Sequence, residues 1–201
     1  VRFVSIPDVT DGVDMSGKIE VICGSMFSGK SEELLRRLRR AKIAGLSYVL
    51  CKPVQDTRTN GGIATHKGTE VEATPIASSL QLKSLLHEND VDIIAIDEAQ
   101  FLDDISIQVF QDLADSGKVI IAAGLDLDYR AKPFGPMPQL MAVAETVTKL
   151  QAVCVVCGND ACRTQRRTAG TTLIEIGASD RYEARCRGCY QKPLEEVGDN
   201  T

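Results

Sequence analysis

The sequence predicts an α/β fold: a parallel sheet with helices on both faces, followed by a small cysteine-rich unit. Three observations predict it. Short, almost uninterrupted apolar runs recur at 18–23 (KIEVIC), 91–96 (VDIIAI) and 118–123 (KVIIAA). Runs of that kind are buried on both faces of a parallel sheet. Segments with helical spacing alternate with them, and strand–helix–strand alternation implies helices packed over such a sheet. From Cys154 the character changes to a stretch rich in Cys, Gly, Arg and Thr, with short strand signals and no long helix.

Taken in order, residues 1–17 are polar, carry Asp8, Asp11 and Asp14, and read as a flexible lead-in. The strand 18–23 runs into a glycine loop and then a helix over 31–44. Leu34, Leu35, Leu38 and Ala41 recur at helical spacing, and Gly45 is a stop signal. Arg36, Arg37, Arg39 and Arg40 fall mostly on the other face and read as solvated. Residues 47–52 form a strand ended by Pro53. Residues 54–68 are polar, contain Gly61-Gly62, and read as a mobile loop or hairpin. A short helix is expected over 79–88 and another over 103–115. Residues 130–138 hold three prolines and read as a loop, followed by a helix over 139–145 and a strand over 147–153. The boundaries expected are therefore 18–150 for the α/β domain, 151–193 for the cysteine-rich unit and 194–201 for a tail.

Composition narrows the classes. Of 201 residues, 43% are hydrophobic, enough for a packed core. No apolar run approaches the ~18–20 residues needed to cross a bilayer. No basic segment followed by an apolar one opens the chain, so a cytoplasmic location with no membrane partner is expected. A net charge of −5 argues against coating nucleic acid. Seven cysteines without a secretory signal argue against a disulfide framework. Cys23 and Cys51 read as small buried side chains within strands, and Cys162 as a spare thiol.

The glycine loop is the sharpest signal. Gly24-Ser25-Met26-Phe27-Ser28-Gly29-Lys30-Ser31 fits G-x-x-x-x-G-K-[ST], with a strand before it and a helix after it. Glycines let the backbone curl so that N–H groups face phosphate oxygens, and the helix N-terminus adds partial positive charge. Lys30 supplies a cation to the β- and γ-phosphates and Ser31 a hydroxyl to Mg²⁺. With this loop in place, the expected architecture is a P-loop, RecA-like sheet.

Asp97-Glu98 ends the strand 91–96. A carboxylate there sits in the crevice where open α/β sheets bind ligands. Asp97 is the natural partner of the metal. Glu98 points differently and is available to take a proton from an attacking hydroxyl or water. Asp-Glu-Ala-Gln (97–100) also looks like the acidic motif of helicase-type ATPases. That rival generally needs two such domains, more chain than is present here.

Cys154-x-x-Cys157 and Cys186-x-x-Cys189 form two matched pairs. Four thiolates at this spacing close a tetrahedral Zn²⁺ site with no open position, hence a structural one. The 28 residues between the pairs (158–185) exceed a usual ribbon, so something extra is looped out. A redox dithiol and a nucleic-acid zinc ribbon, the latter helped by Arg163, Arg166 and Arg167, stay open at this level.

These motifs together resemble the thymidine kinase family that includes the cytosolic vertebrate and many bacterial enzymes. Gly24–Ser31 is similar to its phosphate loop and Ile96–Phe101 to its acidic motif. Gly124-Leu125-Asp126 with Lys132-Pro133-Phe134-Gly135 resembles its lid, and Tyr182–Arg187 the stretch closing its substrate loop. The order is the same over roughly 17–193. The resemblance implies transfer of the ATP γ-phosphoryl group to the 5′-hydroxyl of thymidine. Glu98 would be the base. The residues 24–31, Asp97, Gln100 and the segment Asp56-Thr57-Arg58 would hold ATP and Mg²⁺. Main-chain groups of Leu173, Ile174, Glu175, Ile176 and Gly177 would hold thymine. Met26, Phe101, Leu125, Phe134 and Thr164 would surround the base, with Tyr129 and Tyr182 along the nucleoside. The 28-residue insert would fold over the substrate, and a homotetramer subject to dTTP inhibition would be usual. Two departures are visible: Tyr129 stands where Phe is common, and Glu175 interrupts an apolar stretch. Such a burial would be costly for Glu175, so its side chain is expected to face away from the base.

Overall fold

The computed structural model describes residues 16–54, 62–64, 70–88, 91–167 and 181–191. Strand β1 (Lys18–Gly24) leads through the glycine loop into helix α1 (Lys30–Ile43), then β2 (Tyr48–Pro53). The short strands β3 (Gly62–Ala64) and β4 (Glu70–Glu72) pair antiparallel; the rest of the 54–68 segment after Val54 lies outside the described residues. Then come β5 (Thr74–Ile76), α2 (Leu80–Glu88), β6 (Ile93–Ile96), a single 3₁₀ turn (Ala99–Phe101), α3 (Ser106–Asp115) and β7 (Val119–Gly124). Helix α4 (Met137–Val143) and β8 (Thr146–Leu150) complete the sheet.

Six strands form one sheet in the order β5-β2-β6-β7-β1-β8. Every pairing in it is parallel. Alternate strand residues feed two cores. Val21, Cys23, Ile94, Ile96, Ile120 and Ala122 pack with Leu82 of α2, Phe110 of α3 and Leu140 of α4. Ile22, Ile93, Ala95, Ile121 and Ala123 pack on the other face against Leu34, Leu35, Leu38 and Ala41 of α1. This is why the strand runs are apolar without alternation. It is also the P-loop, RecA-like architecture expected, with β7 lying between the phosphate-loop strand β1 and the acidic strand β6.

The arginine face of α1 divides. Arg36, Arg39 and Arg40 are exposed, but Arg37 turns to the sheet, meeting Glu20 at 2.6 Å, Glu33 at 2.9 Å and the Thr148 hydroxyl at 2.8 Å. Glu33 in the first turn is held down to about 2, foremost by its hydrogen bond from Arg36, and its charge suits the helix N-terminus.

As expected, β2 ends at Pro53, which is its last residue, in register with Ile76 of β5. The three-residue strand β5 was not foreseen. It forms the sheet edge, the one place where Pro75, lacking an N–H, is tolerated. Helix α4 begins earlier than expected because Pro136 caps it and Pro138 sits in its first turn, where a missing N–H costs nothing.

After Leu150 the chain makes two small sheets: β9 (Ala152–Val153) with β10 (Asp160–Ala161), and β11 (Arg163–Arg166) with β12 (Tyr182–Arg185). Their common core is four small residues, Ala152, Cys154, Ala161 and Ala184. Among the described residues, no helix is long and apolar enough to cross a membrane.

Candidate active site and metal centre

The glycine loop is built by backbone geometry. Gly24 has φ 144°, and a Cβ there would lie 2.3 Å from the Leu150 carbonyl oxygen, so no larger residue fits. Gly29 caps α1 in the left-handed region at φ 84°. The amino group of Lys30 and the hydroxyl of Ser28 both donate to the Ser25 carbonyl, each at 2.8 Å. Ser31, one residue into the helix, donates its hydroxyl to Asp97 Oδ2 at 2.9 Å. The phosphate loop and the acidic strand end thus meet across β7.

Asp97 is buried directly after β6. Its other oxygen accepts the Glu98 N–H at 3.0 Å. Burial, reinforced by the neighbouring charge of Glu98, pushes the Asp97 carboxyl up to about 6. A dication beside Ser31 and Asp97 would favour the carboxylate form, so this donor pair suits Mg²⁺.

Glu98 is one of three non-glycine residues with positive φ among those described, at φ 56° and ψ 40°. Such a conformation costs about 1–3 kcal/mol and persists where the surroundings dictate it. The Glu98 side chain meets Gln100, whose Nε2 donates to Glu98 Oε2. Gln100 Oε1 in turn accepts the Leu125 N–H at 2.9 Å.

Beyond the acidic turn lie the aromatic residues. Phe101 and Phe134 meet edge to face with ring centroids 5.6 Å apart. They line a cavity of about 240 Å³ together with Pro53, Ile76 and Gln100. The other expected nucleoside neighbours are not among the residues lining this cavity. Leu125, Tyr129, Thr164 and Tyr182 are buried, and Met26 is half-buried. The Tyr129 ring packs under the Arg166 guanidinium at 4.8 Å. Arg166 is itself buried, so Arg163, Arg166 and Arg167 do not make a continuous exposed cationic patch. Asp56, Thr57 and Arg58, and Leu173, Ile174, Glu175, Ile176 and Gly177, lie outside the described residues.

The four paired cysteines converge. The sulfurs of Cys154, Cys157, Cys186 and Cys189 all lie within 4.8 Å of one another, and Cys157 and Cys186 are 3.6 Å apart. A tetrahedral zinc with Zn–S near 2.3 Å needs sulfurs about 3.8 Å apart. The first knuckle closes through Gly158, left-handed at φ 75°, whose N–H donates to the Cys154 carbonyl at 2.9 Å. In the second, the Cys189 N–H donates to the Cys186 sulfur at 3.4 Å; Gly188 needs no positive φ. Crowding splits the thiols. Cys154 is lowered to about 6, first by the Cys186 backbone N–H, while Cys189 is raised to about 12, first by its bond with the Cys186 side chain. Four such sulfurs ionise together only around a cation, so the donor set fits structural zinc. Burial pushes Cys23 and Cys51 up to about 11 and 12, as inert core thiols.

Sequence reasoning missed how this unit docks. Ser25 Oγ donates to the Ala161 carbonyl at 3.2 Å, and the Met26 N–H donates to Thr164 Oγ1 at 3.1 Å. The Tyr190 hydroxyl donates to the Tyr129 carbonyl at 2.6 Å. The cysteine unit therefore grips both the phosphate loop and the segment after β7. Sequence reasoning named Asp126 with the lid but not its burial after β7 or its pairing with Lys149 at 2.7 Å.

A family model described as thymidine kinase matches residues 17–190, most of the chain and every motif above. The chain belongs to the thymidine kinase family. Membership supports a kinase that uses ATP on a nucleoside. Partial likenesses to solved structures accompany it. One is a crystal structure of a DNA replication initiation factor, at 16% identity and TM-score 0.41, covering 67% of this chain and 40% of that one. Another is the X-ray structure of the Legionella pneumophila ATPase DotB, at 16% identity and TM-score 0.40, covering 64% and 34%. This thymidine kinase family chain thus spans less than half the length of either.

Proposed function

We propose that the chain transfers the γ-phosphoryl group of ATP to the 5′-hydroxyl of thymidine, and of deoxyuridine, giving dTMP and ADP in pyrimidine salvage. The observation that carries the reading is the meeting of Ser31 with Asp97, with Glu98 on the adjoining turn, in a chain of this family. Backbone N–H groups of 24–31 and the Lys30 ammonium hold the phosphates. Ser31 and Asp97 hold Mg²⁺, which when bound neutralises charge on the transferring group. Glu98 accepts the proton of the attacking 5′-hydroxyl. Arg58, in the Asp56-Thr57-Arg58 segment, adds positive charge at the phosphates.

On the nucleoside side, Phe101, Phe134, Leu125, Met26 and Thr164 surround the base, Tyr129 and Tyr182 flank the sugar, and 173–177 hold thymine by main-chain groups. The loop between the cysteine pairs covers the substrate and keeps water from the γ-phosphate. Zinc ties both ends of that loop. The family resemblance supports a cytoplasmic homotetramer inhibited by dTTP. The end of the six-stranded sheet at Leu150 supports a boundary there between the proposed units 18–150 and 151–193.

The test is product chemistry. With γ-labelled ATP and Mg²⁺, thymidine is expected to acquire label as dTMP, while 5′-deoxythymidine binds but acquires none. Labelling of 5′-deoxythymidine would place the transfer on another hydroxyl and overturn the reading.

A further inference from the structure

We propose that Gln100 is a positioning residue that fixes the orientation of the Glu98 carboxylate; this rests on the reading of Glu98 as proton acceptor. A carboxamide has one accepting and one donating end. The Leu125 N–H, a donor only, claims Oε1 at 2.9 Å, which leaves the NH₂ group for Glu98 Oε2. The backbone at the end of β7 therefore dictates which way the amide faces.

The surroundings allow Gln100 no other place. Its residue is 2% exposed. A Cβ on Gly124 would lie 2.8 Å from Gln100 Oε1, and one on Gly135, at φ 50°, would lie 2.1 Å from the Gln100 carbonyl oxygen. The end of β7 thus closes onto this side chain, and the segment at Gly135 onto the Gln100 main chain, at positions that only glycine permits. Both ends of its amide are thus engaged inside the protein, one on Leu125 and one on Glu98.

The need for such a brace follows from the backbone. Glu98 sits in the left-handed region at the start of a single helical turn. A glutamate side chain there has three torsions to fix. A general base acts only within hydrogen-bond reach of the proton it takes. A charge-assisted bond from a buried, immobile amide selects one carboxylate orientation before substrate arrives.

The decisive variant is Gln100→Glu. It keeps the length and the acceptor for Leu125, but it replaces the donor to Glu98 with a second carboxylate. Expected is a fall in kcat of ~10-fold or more, with the KM values for thymidine and ATP within about twofold of the parent. In a Glu98→Ala background the same substitution is expected to add no further loss. Gln100→Met, which removes the donor without adding charge, is the companion variant should Gln100→Glu not fold, with the same expectations. An unchanged kcat in the Gln100 variants, beside a large loss in Glu98→Ala, overturns this role alone. A raised KM for ATP at unchanged kcat overturns it in favour of nucleotide binding. A near-normal kcat for Glu98→Ala overturns the reading of Glu98 and this role with it.

Discussion

Glu98→Ala is expected to lower kcat by at least ~10² while leaving ATP affinity nearly intact. The separation follows from the site. The groups proposed to hold nucleotide are the loop N–H groups, Lys30, Ser31 and Asp97. Of these, Asp97 accepts a hydrogen bond from the Glu98 main-chain N–H, which alanine retains. Phosphoryl transfer depends chiefly on positioning and charge neutralisation, so a residual rate should survive. Glu98→Gln, which keeps shape and loses basicity, should fall as far. Unfolding curves like the parent's would show that the loss is chemical. A kcat near the parent value in both variants would remove Glu98 from the mechanism.

Removing the metal should have the second large effect. The core of the cysteine unit is Ala152, Cys154, Ala161 and Ala184, far too little apolar volume to hold a fold by itself. Structural zinc contributes about 10–16 kcal/mol to folding in small finger peptides at neutral pH, and here it must supply most of the unit's order. Without it, the grip of Ala161 on Ser25 and of Thr164 on the Met26 N–H should be lost together. Chelation, or the pair Cys157→Ser and Cys186→Ser, is expected to abolish thymidine turnover through loss of nucleoside binding. Retention of most of the secondary structure of the six-stranded sheet would show that the damage is local. A zinc-free protein with a normal thymidine KM would contradict this role for the metal.

The parts legible in the sequence are those where chemistry fixes spacing locally. The phosphate loop needs its glycines and Lys30 within eight residues, and the thiolate knuckles need two residues between cysteines. Asp97 was legible because a strand of Ile93, Ile94, Ala95 and Ile96 ends on it. Strand β5 was not, because three residues containing Pro75 carry no strand pattern, and only the exposed edge beside β2 admits them. The contacts that assemble the site were also hidden. Thr164 reaches Met26 across 138 residues and Gln100 reaches Leu125 across 25, and nothing in either local stretch announces the partner. The family resemblance implies a place for Gln100 among the nucleotide-holding residues; its burial and its bonds to Leu125 and Glu98, which support the positioning role proposed above, are not legible in the sequence. Tyr129 is similar: the sequence shows only that it stands where Phe is common, not that its ring is packed under Arg166 or that its carbonyl is held by Tyr190.

The most direct test of the central claim is ADP release from ATP·Mg measured across a panel of nucleosides, with a control lacking any nucleoside. The account predicts rapid release with thymidine and deoxyuridine, little with purine nucleosides and almost none in the control. ADP release in the control at a rate that thymidine leaves unchanged would mean that the phosphate loop serves hydrolysis, and would contradict it.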